Sequence, residues 1–190
     1  MARGRWLTVF SGALLLGTAL QAQEFDTSSL GIQVRASAPM GQLRDNVGGG
    51  AIPGLGLDLV AEKDFGEGRR GRVLFGADQW LKGSLSSMPD TKGEVFAAHL
   101  GVEAVLLLRP YGDWPLLGPY VLAGLGGYAW DVTREDASGK TERRVGHAAA
   151  TVGAGWRVTG NLDVEVKGLV GEVDPGFNAA ALMAGVTLRY

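Results

Sequence analysis

Across eight successive stretches of this chain, ionisable side chains keep to one parity and aliphatic side chains to the other. The stretches are Ser29–Ala38, Gly54–Phe65, Gly71–Ser84, Glu94–Arg109, Pro119–Val132, Val145–Thr159, Leu162–Val173 and Ala179–Tyr190. One parity carries Leu30, Ile32 and Val34 in the first stretch, Leu55, Leu57 and Leu59 in the second, and Leu182, Val186 and Leu188 in the last. The other collects Arg35, Asp58, Glu62, Arg72, Asp78, Lys82, Glu103, Arg157, Asp163, Glu165, Lys167 and Arg189, six of each sign. A period of two over such lengths is the signature of β-strands whose two faces meet different media. Glycines such as Gly56, Gly76, Gly153, Gly155 and Gly185 fall on the charged parity as well.

The intervening pieces are rich in turn formers: "PMGQLRDNVGGG", "GEGRR", "LSSMPDTKG", "PYGDWPLLG", "TREDASGKTERR", "GN" and "DPGFN". All 7 prolines lie in these pieces or at strand starts, where a missing N–H breaks no ladder. No amphipathic helical stretch of ~10 residues or more, the usual length of a globular helix, interrupts the strands. An all-β chain with an even number of strands follows, its polar connections long at one end and tight at the other, with "PYGDWPLLG" a fairly long exception. Such asymmetry is what barrels crossing a membrane show.

Bulk composition removes several function classes. A net charge of −2 lacks the basic excess of a phosphate-backbone binder. The absence of cysteine removes disulfides, thiolate metal sites and cysteine nucleophiles together. Arg3, Arg5, the apolar run Trp6–Leu20 and the small residue Ala22 form an export signal, so residues 1–22 are expected to be removed and 23–190 to form one domain. The run falls short of the ~20 residues that a membrane-spanning helix requires.

Periodicity leaves open which face lies inside. A soluble barrel of lipocalin type would bury the aliphatic parity; a membrane barrel would bury the charged one. Mixtures are forbidden, because a basic residue facing lipid at the midplane costs about 2–4 kcal/mol. Twelve misplaced charges would exceed a typical net stability of about 5–15 kcal/mol. Three features favour a charged lumen. The signs balance, as a water-poor interior requires. Glycines leave room for long side chains in an eight-strand interior just wide enough to be filled. Phe65, Trp156 and Tyr190 sit near strand ends, with Trp114 in a neighbouring connection, as an interfacial aromatic girdle would.

The chain finishes on "AGVTLRY", which resembles the C-terminal assembly signal of outer-membrane β-barrels, with Gly185, Leu188 and Tyr190 in its characteristic places. "GPYVLAGLGGYAW" and "TVGAGWRVTGNLDVEVKG" resemble later strands of the small OmpA-like and OmpW-like barrel domains. The resemblance implies an eight-stranded antiparallel up-and-down transmembrane barrel in the outer membrane of a diderm bacterium. Implied partners are outer-membrane lipid, the barrel-assembly machinery during biogenesis and a surface ligand at the loops. It also implies a last strand paired with the first and no peptidoglycan-binding domain behind it.

No chemistry beyond this stands out. "GKT" at Gly139–Thr141 lacks the first glycine and the strand-to-helix unit of a phosphate loop. His99 shares the charged parity but has no serine two residues away, and His147 lies near a loop. Asp163 and Glu165 fit pairing with Lys167, Arg157 or Arg189 better than acid–base catalysis. No cofactor, catalytic or metal-binding residue is assigned. Two readings follow: a non-enzymatic envelope scaffold or surface-contact module with a charge-paired closed lumen, or a carrier for small hydrophobic molecules with Trp80, Leu85, Phe96 and Trp130 gathered into an apolar pocket.

Overall fold

A computed structural model describes residues 28–47, 54–85, 88–108, 117–174 and 177–190. The export segment and Trp114 lie outside these. The strands are β1 (Ser28–Met40), β2 (Gly54–Asp64), β3 (Arg69–Leu85), β4 (Met88–Leu107), β5 (Gly118–Asp136), β6 (Gly139–Arg157), β7 (Leu162–Asp174) and β8 (Phe177–Arg189), with one short helix, α1 (Gly41–Val47), after β1. Each strand pairs with its sequence neighbour, and β1 pairs antiparallel with β8 from Gly31↔Arg189 to Met40↔Ala180, closing the barrel. The carboxyl-terminal strand is therefore an interior member of a closed ladder, and the Tyr190 N–H reaches the Leu30 carbonyl at 2.9 Å.

The barrel resolves the question of sidedness. Arg35, Asp58 and Lys167 are buried at 2, 0 and 2 % exposure, whereas Leu125, Val152 and Leu188 are open at 68, 66 and 59 %. Leu57 is half-buried and Val164 exposed, both on the outer face. On β6 the outward positions run Ala148, Ala150, Val152, Ala154 and Trp156, followed by Val158 at the turn, a length that suits the ~9–11 residues of a tilted membrane-crossing strand. A belt of this extent would aggregate in water; it is a surface for lipid.

Chain direction places the two rims. β2–β3 closes through Phe65–Gly68, where Gly66 and Gly68 take φ of 82° and 76°, a left-handed geometry that glycine adopts without strain. β6–β7 closes as tightly, with the Val158 N–H on the Leu162 carbonyl at 2.9 Å. Phe65, Trp156 and Tyr190 are exposed together at this short-turn rim.

The opposite rim differs from the sequence expectation in two ways. The composition of "LSSMPDTKG" and "TREDASGKTERR" predicts loops, yet most of both is strand: β4 begins at Met88, and β5 and β6 continue to a tip at Ala137–Ser138. Above the membrane both faces of a strand meet water, so the apolar–polar alternation that identifies strands vanishes while backbone pairing persists. The connection "PMGQLRDNVGGG", in turn, holds α1. Strands β3–β6 are consequently much longer than β7, β8, β1 and β2, and the barrel carries a tall wall on one side.

Candidate functional site

The lumen is built in tiers. At the short-turn end, Glu62 accepts hydrogen bonds from Arg70 (3.0 Å), Arg72 (2.8 Å), Arg157 (2.7 Å) and Arg189 (3.3 Å). Asp163 accepts from Arg72 at 2.8 Å, Arg157 at 3.0 Å and Arg189 at 2.7 Å. Glu165 takes the remaining Arg72 nitrogen and the Tyr120 hydroxyl, both at 2.8 Å, and the Gln33 amide at 2.9 Å. Each carboxylate thus has several donors, the condition under which buried ions are tolerated. Gly155 makes this tier possible: a Cβ there would stand 2.3 Å from the Tyr120 ring.

In mid-lumen, Arg35 bridges Asp58 at 2.6 Å and Asp78 at 3.0 Å, and His99 Nε2 lies 3.0 Å from Asp58. Lys167 joins Glu103 at 2.8 Å. A void of about 10 Å³ beside His99, Glu103 and Thr151 has room for about one water molecule. Above it the chemistry turns apolar. The His99 ring stacks on Tyr128 (4.7 Å between centroids), Tyr128 on Trp130 (5.5 Å) and Trp130 on Trp80 (5.8 Å). Leu43 and Val47 of α1 insert into this cluster with Val95, Leu169 and Met183. The helix is seated tightly: a Cβ on Gly93 would stand 1.8 Å from the Asn46 carbonyl oxygen, so only glycine admits this approach. Asn46 also accepts a bond from Arg134, and Gln42 one from the Asn178 N–H at 2.6 Å.

Eleven of the twelve charged residues assigned to the lumen are buried there; Lys82 is not. A register irregularity between Trp80 and Gly83 swings Lys82 to the outer rim, where it is 40 % exposed and pairs with Glu135. Arg70 takes its place inside. It shares the parity of Arg72 but lies in a piece assigned to a turn. With that exchange the buried lumen again holds six cations (Arg35, Arg70, Arg72, Arg157, Lys167, Arg189) and six anions (Asp58, Glu62, Asp78, Glu103, Asp163, Glu165) among the described residues. Gln33, Tyr120, Tyr128 and Thr187 complete the network; all sit on the charged parity, so extending that parity to neutral polar residues would have found them. The apolar pocket also changes. Trp80, Leu85 and Trp130 are buried on the inside, but Phe96 lies on the opposite, outward parity. Gly185 faces inward against Arg35, while Leu188 and Tyr190 face outward.

A lipid-facing apolar belt around an ion-paired centre decides the class. The chain is a small transmembrane β-barrel of the outer-membrane type. Solved structures of this barrel fold agree. The attachment invasion locus protein Ail of Yersinia pestis superposes with a TM-score of 0.57 at 12 % identity, covering 86 % of this chain and 97 % of that one. The N-terminal β-barrel domain of Pseudomonas aeruginosa OprF gives 0.59 at 9 % identity, covering 86 % and 98 %. Neisserial surface protein A gives 0.52 at 12 %, covering 86 % and 97 %. No protein-family model and no curated protein sequence matches the chain. At such identities it is the fold that is shared. In this outer-membrane barrel, β1, β3, β5 and β7 rise from the short-turn rim and the tall wall stands at the opposite, loop-bearing rim.

Proposed function

We propose that this barrel is a non-enzymatic envelope protein with a closed lumen, acting as a rigid stave in the outer membrane and as a surface-contact module through its tall wall. The observation that carries the reading is the filling of the interior at every level: interlocked ions below, His99 and Tyr128 between, and α1 wedged against Trp80 and Trp130 above. Carriage of small hydrophobic molecules needs vacant apolar space at the loop end. Leu43 and Val47 occupy it, which supports contact over carriage. The lumen ionisable groups are engaged with one another, as expected of structural pairing rather than of acid–base catalysis.

The wall supports the second half of the proposal. Strands β3–β6 project beyond the shorter half-barrel and display mixed charges, including Lys92, Glu94, Arg134 and Arg144. One structure of Ail holds the heparin analogue sucrose octasulfate. By analogy we extend the surface-contact role of the tall wall to the binding of external polymers.

For biogenesis we assign Gly185, Leu188 and Tyr190 as the assembly signal read by the barrel-assembly machinery. The exposure of Tyr190 at the end of β8 supports this role. Leu188→Ser together with Tyr190→Ser should slow membrane insertion in a reconstituted assembly reaction, and unchanged insertion would remove the assignment. Closure of the lumen is tested by single-channel recording. Purified protein in a planar bilayer is expected to show no stable steps, and large, long-lived steps would overturn the closed-lumen reading.

A further inference from the structure

The ion pairs of the lumen fall into two networks, and no salt bridge joins them among the described residues. The larger, centred on Arg72, takes the five lumen cations other than Arg35 and four of the anions. A fifth acid, the partly exposed Asp64 at the rim, lies 3.3 Å from Arg70 Nε and completes its balance. The smaller network sets a single guanidinium, Arg35, against two fully buried carboxylates, Asp58 and Asp78. One negative charge in a dry interior is thus left without a counterion, a strongly destabilising arrangement.

His99 reaches into this smaller network from β4. Its Nε2 lies 3.0 Å from Asp58 Oδ1, and its Nδ1 lies 3.5 Å from Asp78 Oδ2. Outside these pairs neither ring nitrogen has a hydrogen-bond partner. Neutral imidazole carries one N–H and one lone pair, and an ionised carboxylate only accepts. Either neutral tautomer would therefore aim a lone pair at an oxygen anion. The imidazolium donates in both directions and brings the network to two charges of each sign.

The site is built by cross-strand glycines. Gly76 stands opposite Asp58 and Gly56 opposite Asp78, and a Cβ on them would come 2.0 Å and 2.2 Å from the facing carboxylate oxygens. No other group around the ring supplies the missing charge. Lys167 of β7 is engaged by Glu103 and Glu165, Tyr128 of β5 stacks on the ring, and β6 faces the adjoining void with Thr151. His147 of β6 lies beyond Tyr128 in the same row.

We propose that His99 is held as an imidazolium between Asp58 and Asp78, a buried proton that ties β4 to β2 and β3 and sets the seating of α1. The link upward is the aromatic stack. Tyr128 lies on the His99 ring, Trp130 on Tyr128 and Trp80 on Trp130, and Leu43 and Val47 pack into the same cluster. Loss of the proton at high pH turns a ring lone pair toward a carboxylate, displaces the ring and loosens the helix. The arginines of the larger network keep their charge throughout.

The test uses the full barrel in lipid nanodiscs with isotope-labelled histidine, because nitrogen chemical shifts separate imidazolium from either neutral tautomer. At neutral pH both His99 nitrogens should read as protonated. The chain has 2 histidines, so His147→Gln assigns the signals. Asp78→Asn removes the surplus negative charge and should convert the His99 ring to a neutral tautomer. As pH is raised, the methyl signals of Leu43 and Val47 should move together with the His99 nitrogens, in the parent and in His147→Gln alike. That step should vanish in His99→Gln. A neutral ring in the parent, including one whose proton sits on Asp78, would overturn the proposal, as would a ring charge indifferent to Asp78→Asn. Methyl signals that stay fixed while the ring loses its proton would overturn the coupling to α1.

Discussion

The lower and upper halves of the lumen solve the same packing problem with opposite chemistry. Below, Glu62, Asp163 and Glu165 are threaded among Arg70, Arg72, Arg157 and Arg189, and every ion depends on several others. Above, Trp80, Trp130, Met183 and Leu169 pack against Leu43 and Val47 of α1, which come from a connection rather than from the wall. The lower half is over-determined by directional bonds. The upper half is held by shape and by exclusion of water. The barrel is thus packed below by charges from its own strands and above by a helix borrowed from a connection.

The comparison is broken most severely at Arg72. Arg72→Leu leaves three carboxylates short of a donor in a dry interior, and stability is expected to fall by about 3–5 kcal/mol, read from urea unfolding in lipid vesicles. A loss below about 1 kcal/mol would show that water screens the lower tier. Next comes Leu43→Ala in the upper half, where the removed side chain and the residual cavity together cost roughly 2–3 kcal/mol. Its lower-tier bonds should survive, and amide exchange should rise in α1 while that of β7 and β8 near Asp163 and Arg189 stays unchanged. Equal loosening in both halves would mean that they fold as one unit.

A double substitution sharpens the distinction. Lys167→Met alone leaves Glu103 and Glu165 each short of a cation, whereas Lys167→Met with Glu103→Leu removes the pair bonded at 2.8 Å and leaves Glu165 to Arg72. The double variant is expected to be the more stable, within about 1 kcal/mol of the parent, because apolar replacement of a buried pair is close to neutral. A double variant less stable than the single would show that Glu103 keeps an independent role toward Thr151. The smallest effect belongs to the wall. Glu135, whose carboxyl the Lys82 ammonium holds below the usual range, lies exposed on the wall. Its folded-state pKa is depressed, so any stabilisation is present above the ordinary glutamate range and is lost as pH falls through the folded value. Glu135→Gln should leave unfolding unchanged at neutral pH, and a measurable loss would make the wall part of the cooperative unit.

Legibility in the sequence followed the media that each strand touches. Within the membrane one face meets lipid and the other the lumen, so parity alone separates Leu55 from Asp58 and Lys167, without saying which face lies inside. Where that contrast ends, the reading failed. Thr133, Glu142 and Arg143 lie on strands that rise into water, where their sequence has the composition of a connection. Lys82 kept its parity in the sequence but lost it in space, because a local irregularity cannot be seen in a strictly alternating run. α1 was invisible because seven residues carry too little helical periodicity to detect.

By itself the sequence determined the number of strands, the partition of each into two faces, and the balance of charge on one of them, since period-two patterning is a property of a single strand and needs no partner. Only the tertiary structure decided that the charged face turns inward, that Arg70 rather than Lys82 joins the lumen, that a helix packs into the upper lumen, and that β6 outruns β7. Those outcomes depend on how strands register against one another around a closed ring, and register is a relation between distant segments that no single stretch of chain contains.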